Sequence, residues 1–149
     1  MDDWNSKISA ILNELESVQL EPVIAQTTES AKYEIIILDG FEEDNVKWKA
    51  LIAEQIKTAK KFEIHCWTEE QKEIELALQY GTVSDSNWNY GKVIVGVITT
   101  EFEDMLLHIP KPIDTVFSNK MTPFFSIFFD NGFSSEHYGT ENIIKQIER

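Results

Sequence analysis

The chain has 149 residues, 42% of them hydrophobic and 11% aromatic. That is enough for one domain over residues 1–149, burying about two-thirds of its unfolded surface. Thirteen Lys+Arg against 26 Asp+Glu leave a net charge of −13, which argues against nucleic acid or an anionic membrane as a ligand. A lone cysteine, Cys66, excludes an intramolecular disulfide framework and a thiolate-rich zinc site.

The first residues, MDDWNSKISAILNELESV, have no basic start, unbroken apolar run or small-residue cleavage site. The expectation is a cytoplasmic protein without a secretory signal or a membrane span. Trp4, Ile8, Ile11, Leu12, Leu15 and Val18 form one apolar stripe at helical spacing, predicting a helix over 3–19 that ends before Pro22. Residues 23–31 have little pattern and suit at most a short edge strand. Lys32–Leu38 (KYEIIIL) reads as a buried strand. Its continuous apolar run, like that of Val93–Ile98, predicts a place in the middle of the sheet with both faces covered.

Asp44 or Asn45 is positioned to cap a helix running to about Lys60. Phe62–Trp67 (FEIHCW) is the next strand. Thr68-Glu-Glu-Gln71 has the form of a capping box opening a helix, with Gly81 as its C′ residue. Residues 82–91 form a polar loop, and Lys92–Thr99 (KVIVGVIT) is the cleanest strand pattern. Thr100-Glu-Phe-Glu103 is a second capping box, starting a helix that stops near Pro110. Phe124–Phe129 reads as a strand, Asn131–Gly132 as a hairpin turn, and Thr140 as the cap of a final helix through Ile143, Ile144 and Ile147. The fold class is therefore α/β or α+β: a single domain with a mixed central sheet of about four to six strands flanked by helices.

The chemistry-bearing residues are dispersed. Six scattered glycines form no phosphate-cradling motif. His65, His108 and His137 make no metal-ligand pair. His65 and Cys66, adjacent on a strand, point to opposite faces. No metal or other cofactor is implied. Cys66 with His137 is the one thiol–imidazole pair to weigh, against the plainer reading of Cys66 as a buried small hydrophobe. Two surface features stand out. Glu42, Glu43 and Asp44 form an acidic patch at the C-terminal end of a predicted central strand, where ligand sites of open sheets gather. Those residues also suit a helix N-terminus dressed with favourable charge. Asp85, Trp88 and Tyr90 lie in a polar loop, and such aromatics are interface anchors unless they fold back over the core.

The block Met121-Thr-Pro-Phe-Phe125-Ser-Ile-Phe-Phe-Asp-Asn-Gly-Phe-Ser-Ser135-Glu-His-Tyr-Gly-Thr-Glu141, with FEIHCWTEEQKEIELALQYG before it, resembles small bacterial immunity proteins encoded beside polymorphic or contact-dependent toxins. The resemblance implies a non-enzymatic cytoplasmic antidote that neutralises a cognate toxin by stoichiometric binding. In many such pairs the toxin is a nuclease, whose active site or an adjacent surface is covered. Independently, a −13 protein is drawn to the basic cleft of a nuclease, and complementary charge speeds association. The partner-binding residues expected are Glu42, Glu43, Asp44, Asp85, Trp88 and Tyr90, then Glu136 and Tyr138. The competing expectation is a small enzyme or ligand-binding domain whose site gathers around His137, Glu136 and Cys66, recognisable by one deep pocket. A third is a subunit of a larger complex, with Phe124–Phe133 as an obligate interface rather than a core strand. Oligomeric state is left open.

Overall fold

A computed structural model describes residues 31–86, 88–113 and 119–147. The predicted helix over 3–19 and the unpatterned stretch up to residue 30 lie outside them. The described elements are β1 (Ala31–Ile37), α1 (Val46–Gln55) with a 3₁₀ turn (Ile56–Thr58), β2 (Lys61–Trp67), α2 (Gln71–Leu78) and β3 (Thr82–Val83). They continue as β4 (Gly91–Val97), α3 (Thr100–His108), β5 (Ser126–Phe129), β6 (Ser134–Glu136) and β7 (Glu141–Ile147). All seven strands form one sheet in the order β1-β7-β6-β5-β2-β4-β3. Every pairing is antiparallel, so the fold is α+β, with one strand more than the sequence suggested.

Strand alternation decides the core. Phe62, Ile64 and Cys66 of β2 share a face with Ile94 of β4 and with Ile127 and Phe129 of β5, and all are buried. Against that face pack Trp48 and Ile52 of α1, Ile74 and Ala77 of α2, and Phe102 and Leu106 of α3. Phe62 stacks directly on Phe102, centroids 4.0 Å apart. The fully buried Trp48 adds a polar tie: its Nε1–H donates to Ser135 Oγ of β6 at 2.9 Å. The Asn45 amide ties the start of α1 to the carbonyls of Met121 (2.9 Å) and Ile109 (3.3 Å).

Several local expectations are corrected. Lys32–Leu38 is not central: β1 is an edge strand paired with β7 alone among the described residues, and Ile35 and Ile37 are 62% and 65% exposed. Apolar character marks a strand, but its place in the sheet depends on which remote strand pairs with it. Val93 and Ile94 are buried as expected, whereas Val97, towards the short β3 edge, is 61% exposed. The predicted last helix is strand β7. Isoleucines at 143, 144 and 147 fit a helical stripe, but β-branched side chains favour a pleated surface, and β1 and β6 supply ladder partners on both sides.

Helix starts differ by small steps. Thr99, not Thr100, caps α3, accepting from Phe102 N at 3.1 Å. The Thr68 side chain does not cap α2. Glu70 occupies the N-cap position, and the Gln71 amide donates to Thr68 O at 2.6 Å. Gly81 is not a left-handed C′ residue; it is required for space, since a β-carbon there would lie 2.3 Å from Val95 O. The Asn131–Gly132 turn forms as read, with Gly132 at φ +91° and the Phe129 N–H bonded to Phe133 O at 3.0 Å. Among the described residues no helix is long and apolar enough to cross a membrane.

Candidate partner-binding rim

In an antiparallel sheet, strand ends alternate between two rims. One rim here gathers the C-terminal ends of β1 and β2, the N-terminal ends of β4 and β5, and the β6–β7 turn. Backbone bonds stitch it together: Leu38 N to Thr140 O at 2.8 Å, Tyr138 N to Phe125 O at 3.0 Å, and Thr68 N to Tyr90 O at 3.0 Å. Glu42–Asp44 follow β1, Glu136 and Tyr138 belong to β6 and its turn, and Asp85, Trp88 and Tyr90 precede β4. All eight residues proposed for partner contact thus reach one rim. The two principal groups stand at its opposite ends, five strand spacings apart, which is roughly 24 Å.

The middle of the rim is aromatic. Trp88 lies 5.1 Å from Trp67 and 5.3 Å from His65, ring centroid to ring centroid. Trp67 lies 4.8 Å from Phe125, which meets Tyr138 at 5.3 Å and His137 at 5.8 Å, both edge-on. Trp88 therefore folds back on the protein while staying half-buried, and Tyr90 projects outward at 66% exposure. Trp67, Phe125 and His65 are additions to the expected set. Alternation along FEIHCW does put Glu63, His65 and Trp67 on one face; Phe125 belongs to the run Phe124–Phe129 that reads as a strand, but β5 begins only at Ser126.

Acids border these rings. The Glu70 carboxylate accepts from Trp67 N and from the Tyr138 hydroxyl, both at 2.8 Å. Burial, then that hydrogen bond and the Glu70 charge, push the Tyr138 hydroxyl well above the usual tyrosine range. Glu136 faces Glu141 across β6–β7, and Glu141 is engaged by His137 Nδ1 at 2.5 Å. Glu42 pairs with Lys47 at 3.2 Å, and Asp44 accepts from Val46 N at 3.1 Å. Those acids also serve the start of α1, the plainer reading of that segment.

The β6–β7 turn holds three successive residues at positive φ: His137 (52°), Tyr138 (59°) and Gly139 (91°). Two non-glycine residues there cost roughly 1 kcal/mol or more each. Surrounding bonds hold the turn, among them Met121 N and Thr122 N donating to Tyr138 O at 2.8 and 3.1 Å. That clamp sets the Tyr138 and His137 rings beside Phe125.

Glu136 is the perturbed acid of the rim. Burial raises its carboxyl above the usual range, against the Ser134 hydrogen bond and the nearby His137. A group whose folded-state pKa is raised loses stabilisation as pH climbs from the unfolded value through the folded one. Glu136→Gln, which can still accept from Ser134, is therefore expected to stabilise the protein at pH 7 in denaturant titrations. That gain disappears below the ordinary glutamate range.

Cys66 and His137 do not share an environment. Cys66 is buried on the helix-covered face while His65 lies on the other, as alternation required. Burial, with Glu70 and Glu73 adding to it, pushes the Cys66 thiol up to about 12, which removes the thiolate a nucleophile needs. Alkylation of Cys66 at pH 8 is expected to proceed only through unfolding, many-fold slower in the native than in the denatured chain; rapid native labelling would contradict its burial. A groove of about 490 Å³ does exist, lined by Lys61, Glu63, Val95, Val97, Phe128 and Asp130 among others, but neither His137, Glu136 nor Cys66 lines it. It lies toward the opposite rim. Among the described residues no group of three His, Cys, Asp or Glu is arranged to hold a metal ion.

No protein-family model, curated protein or solved structure matches this chain.

Proposed function

We propose that this protein is an immunity protein that neutralises a cognate, basic bacterial toxin domain by tight stoichiometric binding through the rim. The observation that carries the reading is the convergence there of aromatic rings with a border of carboxylates, from segments as far apart as residues 42 and 138. Half-buried aromatics ringed by polar groups have the anatomy of a protein interface. A rim of roughly 24 Å matches one side of a standard interface of about 800 Å² per partner. The resemblance of the 121–141 block to immunity proteins supports the same reading, and a nuclease toxin would present the complementary positive cleft.

Steering and anchoring divide between the two ends. Reversing charge at Glu42, Glu43 and Asp44 to lysine is expected to slow association about tenfold or more at low salt, with little change in dissociation. Trp88→Ala is expected to speed dissociation by roughly 10- to 30-fold and leave association nearly unchanged. Stopped-flow and surface-binding kinetics with the toxin domain separate these effects. Variants that bind and protect like the parent would remove the rim from the interface.

A further inference from the structure

The three described helices all pack on one face of the sheet, through the core built on Phe62, Ile64 and Ile127. Residues opposite one another in a ladder share a face, so the register also defines the other face. One row of it crosses the whole sheet, from Ile35 and Ile143 through Phe128 to Val95. Ile37 and Val97 stand in the rows to either side.

This outer face is apolar in two ways. Val93 and Phe128 are buried there, yet neither belongs to the helix-side core. Ile35, Ile37 and Val97 are each more than half exposed. An antiparallel sheet with one solvated face ordinarily alternates apolar-in with polar-out. Large apolar side chains at both edges of the outer face instead mark a surface that another layer covers.

The sequence supplies such a layer. Trp4, Ile8, Ile11, Leu12, Leu15 and Val18 give residues 3–19 one apolar stripe, and an amphipathic helix of that length is stable mainly through what its stripe packs on. It would span about 25 Å, against roughly 29 Å from β1 to β3 across the sheet. Residues 20–30, which join it to β1, reach up to ~36 Å when extended, so the stripe can lie anywhere on the sheet. The helix-covered face is already filled, since Trp48, Ile52, Phe102 and Leu106 are fully buried there. We propose that the apolar stripe of residues 3–19 docks on the outer face of the sheet, closing a second core over Phe128 and Val95. The inference does not rest on the proposed function; it gives the sheet face to the chain itself and leaves the rim for a partner.

The test uses the full chain carrying a nitroxide on Asn13→Cys, with Ile, Leu and Val methyl groups isotopically labelled. Asn13 falls opposite the stripe at helical spacing, and the buried Cys66 stays unmodified. The nitroxide should relax the Ile35, Ile143 and Val95 methyls about fivefold or more faster than those of Ile74 and Leu106, which lie a layer of about 10 Å further away. Ile11→Asp with Leu15→Asp should abolish the effect while the Ile74 and Leu106 resonances keep their positions. Relaxation that is equal on the two faces, strongest on the helix-covered face or indifferent to the aspartates would overturn the docking. No relaxation on either face would give the surface to another protein and overturn it too. Mixing nitroxide chains lacking isotope with labelled chains lacking nitroxide reports contact between copies. An equal effect in that mixture would make a second copy the occupant and overturn the inference. The toxin complex is measured separately by co-purification, so the immunity reading stands or falls on its own.

Discussion

Replacing Trp48 with alanine is expected to cost about 3–5 kcal/mol and to lower the melting temperature by on the order of 10 °C for a domain of this size. Trp48 is fully buried on α1, between the sheet and the clamped β6–β7 turn. Its loss leaves a cavity, and it strips Ser135 Oγ of the bond that Nε1 donates at 2.9 Å. Trp48→Phe separates the two contributions. The phenyl ring fills most of the space but leaves the serine unpaired, for an expected loss of roughly 1–3 kcal/mol. Chemical denaturation of the three proteins measures both steps. Near-equal midpoints would show that α1 is not the principal support of the β6–β7 half of the sheet.

Gly139→Ala carries the second largest expected loss, about 2–4 kcal/mol. Its φ of +91° is one that alanine adopts only under strain, and the new β-carbon would lie 2.8 Å from Met121 Cβ and 2.9 Å from the Trp48 ring. Neither neighbour is a free side-chain end. Gly132 has the same φ, and a β-carbon there would lie 2.7 Å from Lys145 Cδ and 2.8 Å from Lys145 Cβ, so Gly132→Ala is expected to be destabilising as well. Because Gly139 and Trp48 touch, combining Gly139→Ala with Trp48→Ala should cost less than the sum of the two losses, by about 0.5–3 kcal/mol. Additive losses would place the strain in the backbone alone. Under the proposed function the Gly139 variant should also weaken partner binding, since the turn holds His137 and Tyr138 at the rim.

The sequence was informative where its signals are local. The strands β2, β4 and β5 were legible as β-branched and aromatic runs, and the β5–β6 hairpin from Asn131–Gly132, because both signals are local. The place of β1 was not. Four consecutive apolar residues, Ile35–Leu38, looked like a central strand, but sheet order is set by pairing with β7 more than a hundred residues away. The same distance hid β7 itself, whose isoleucines match a helix stripe until β1 and β6 are in place. Glu136, Tyr138, Asp85, Trp88 and Tyr90 could be named singly from residue type and turn context. Their meeting at one rim could not, since it follows from the antiparallel order. Trp67 and Phe125 stand near the ends of strand patterns, where alternation does not say which rings meet across the rim.

The proposed function is tested by co-expressing this protein, affinity-tagged, with the untagged product of the adjacent upstream gene. The expected result is a 1:1 complex that survives moderate salt, and a neighbour that is toxic when expressed alone and harmless when this protein is present. A harmless neighbour that does not co-purify would contradict it.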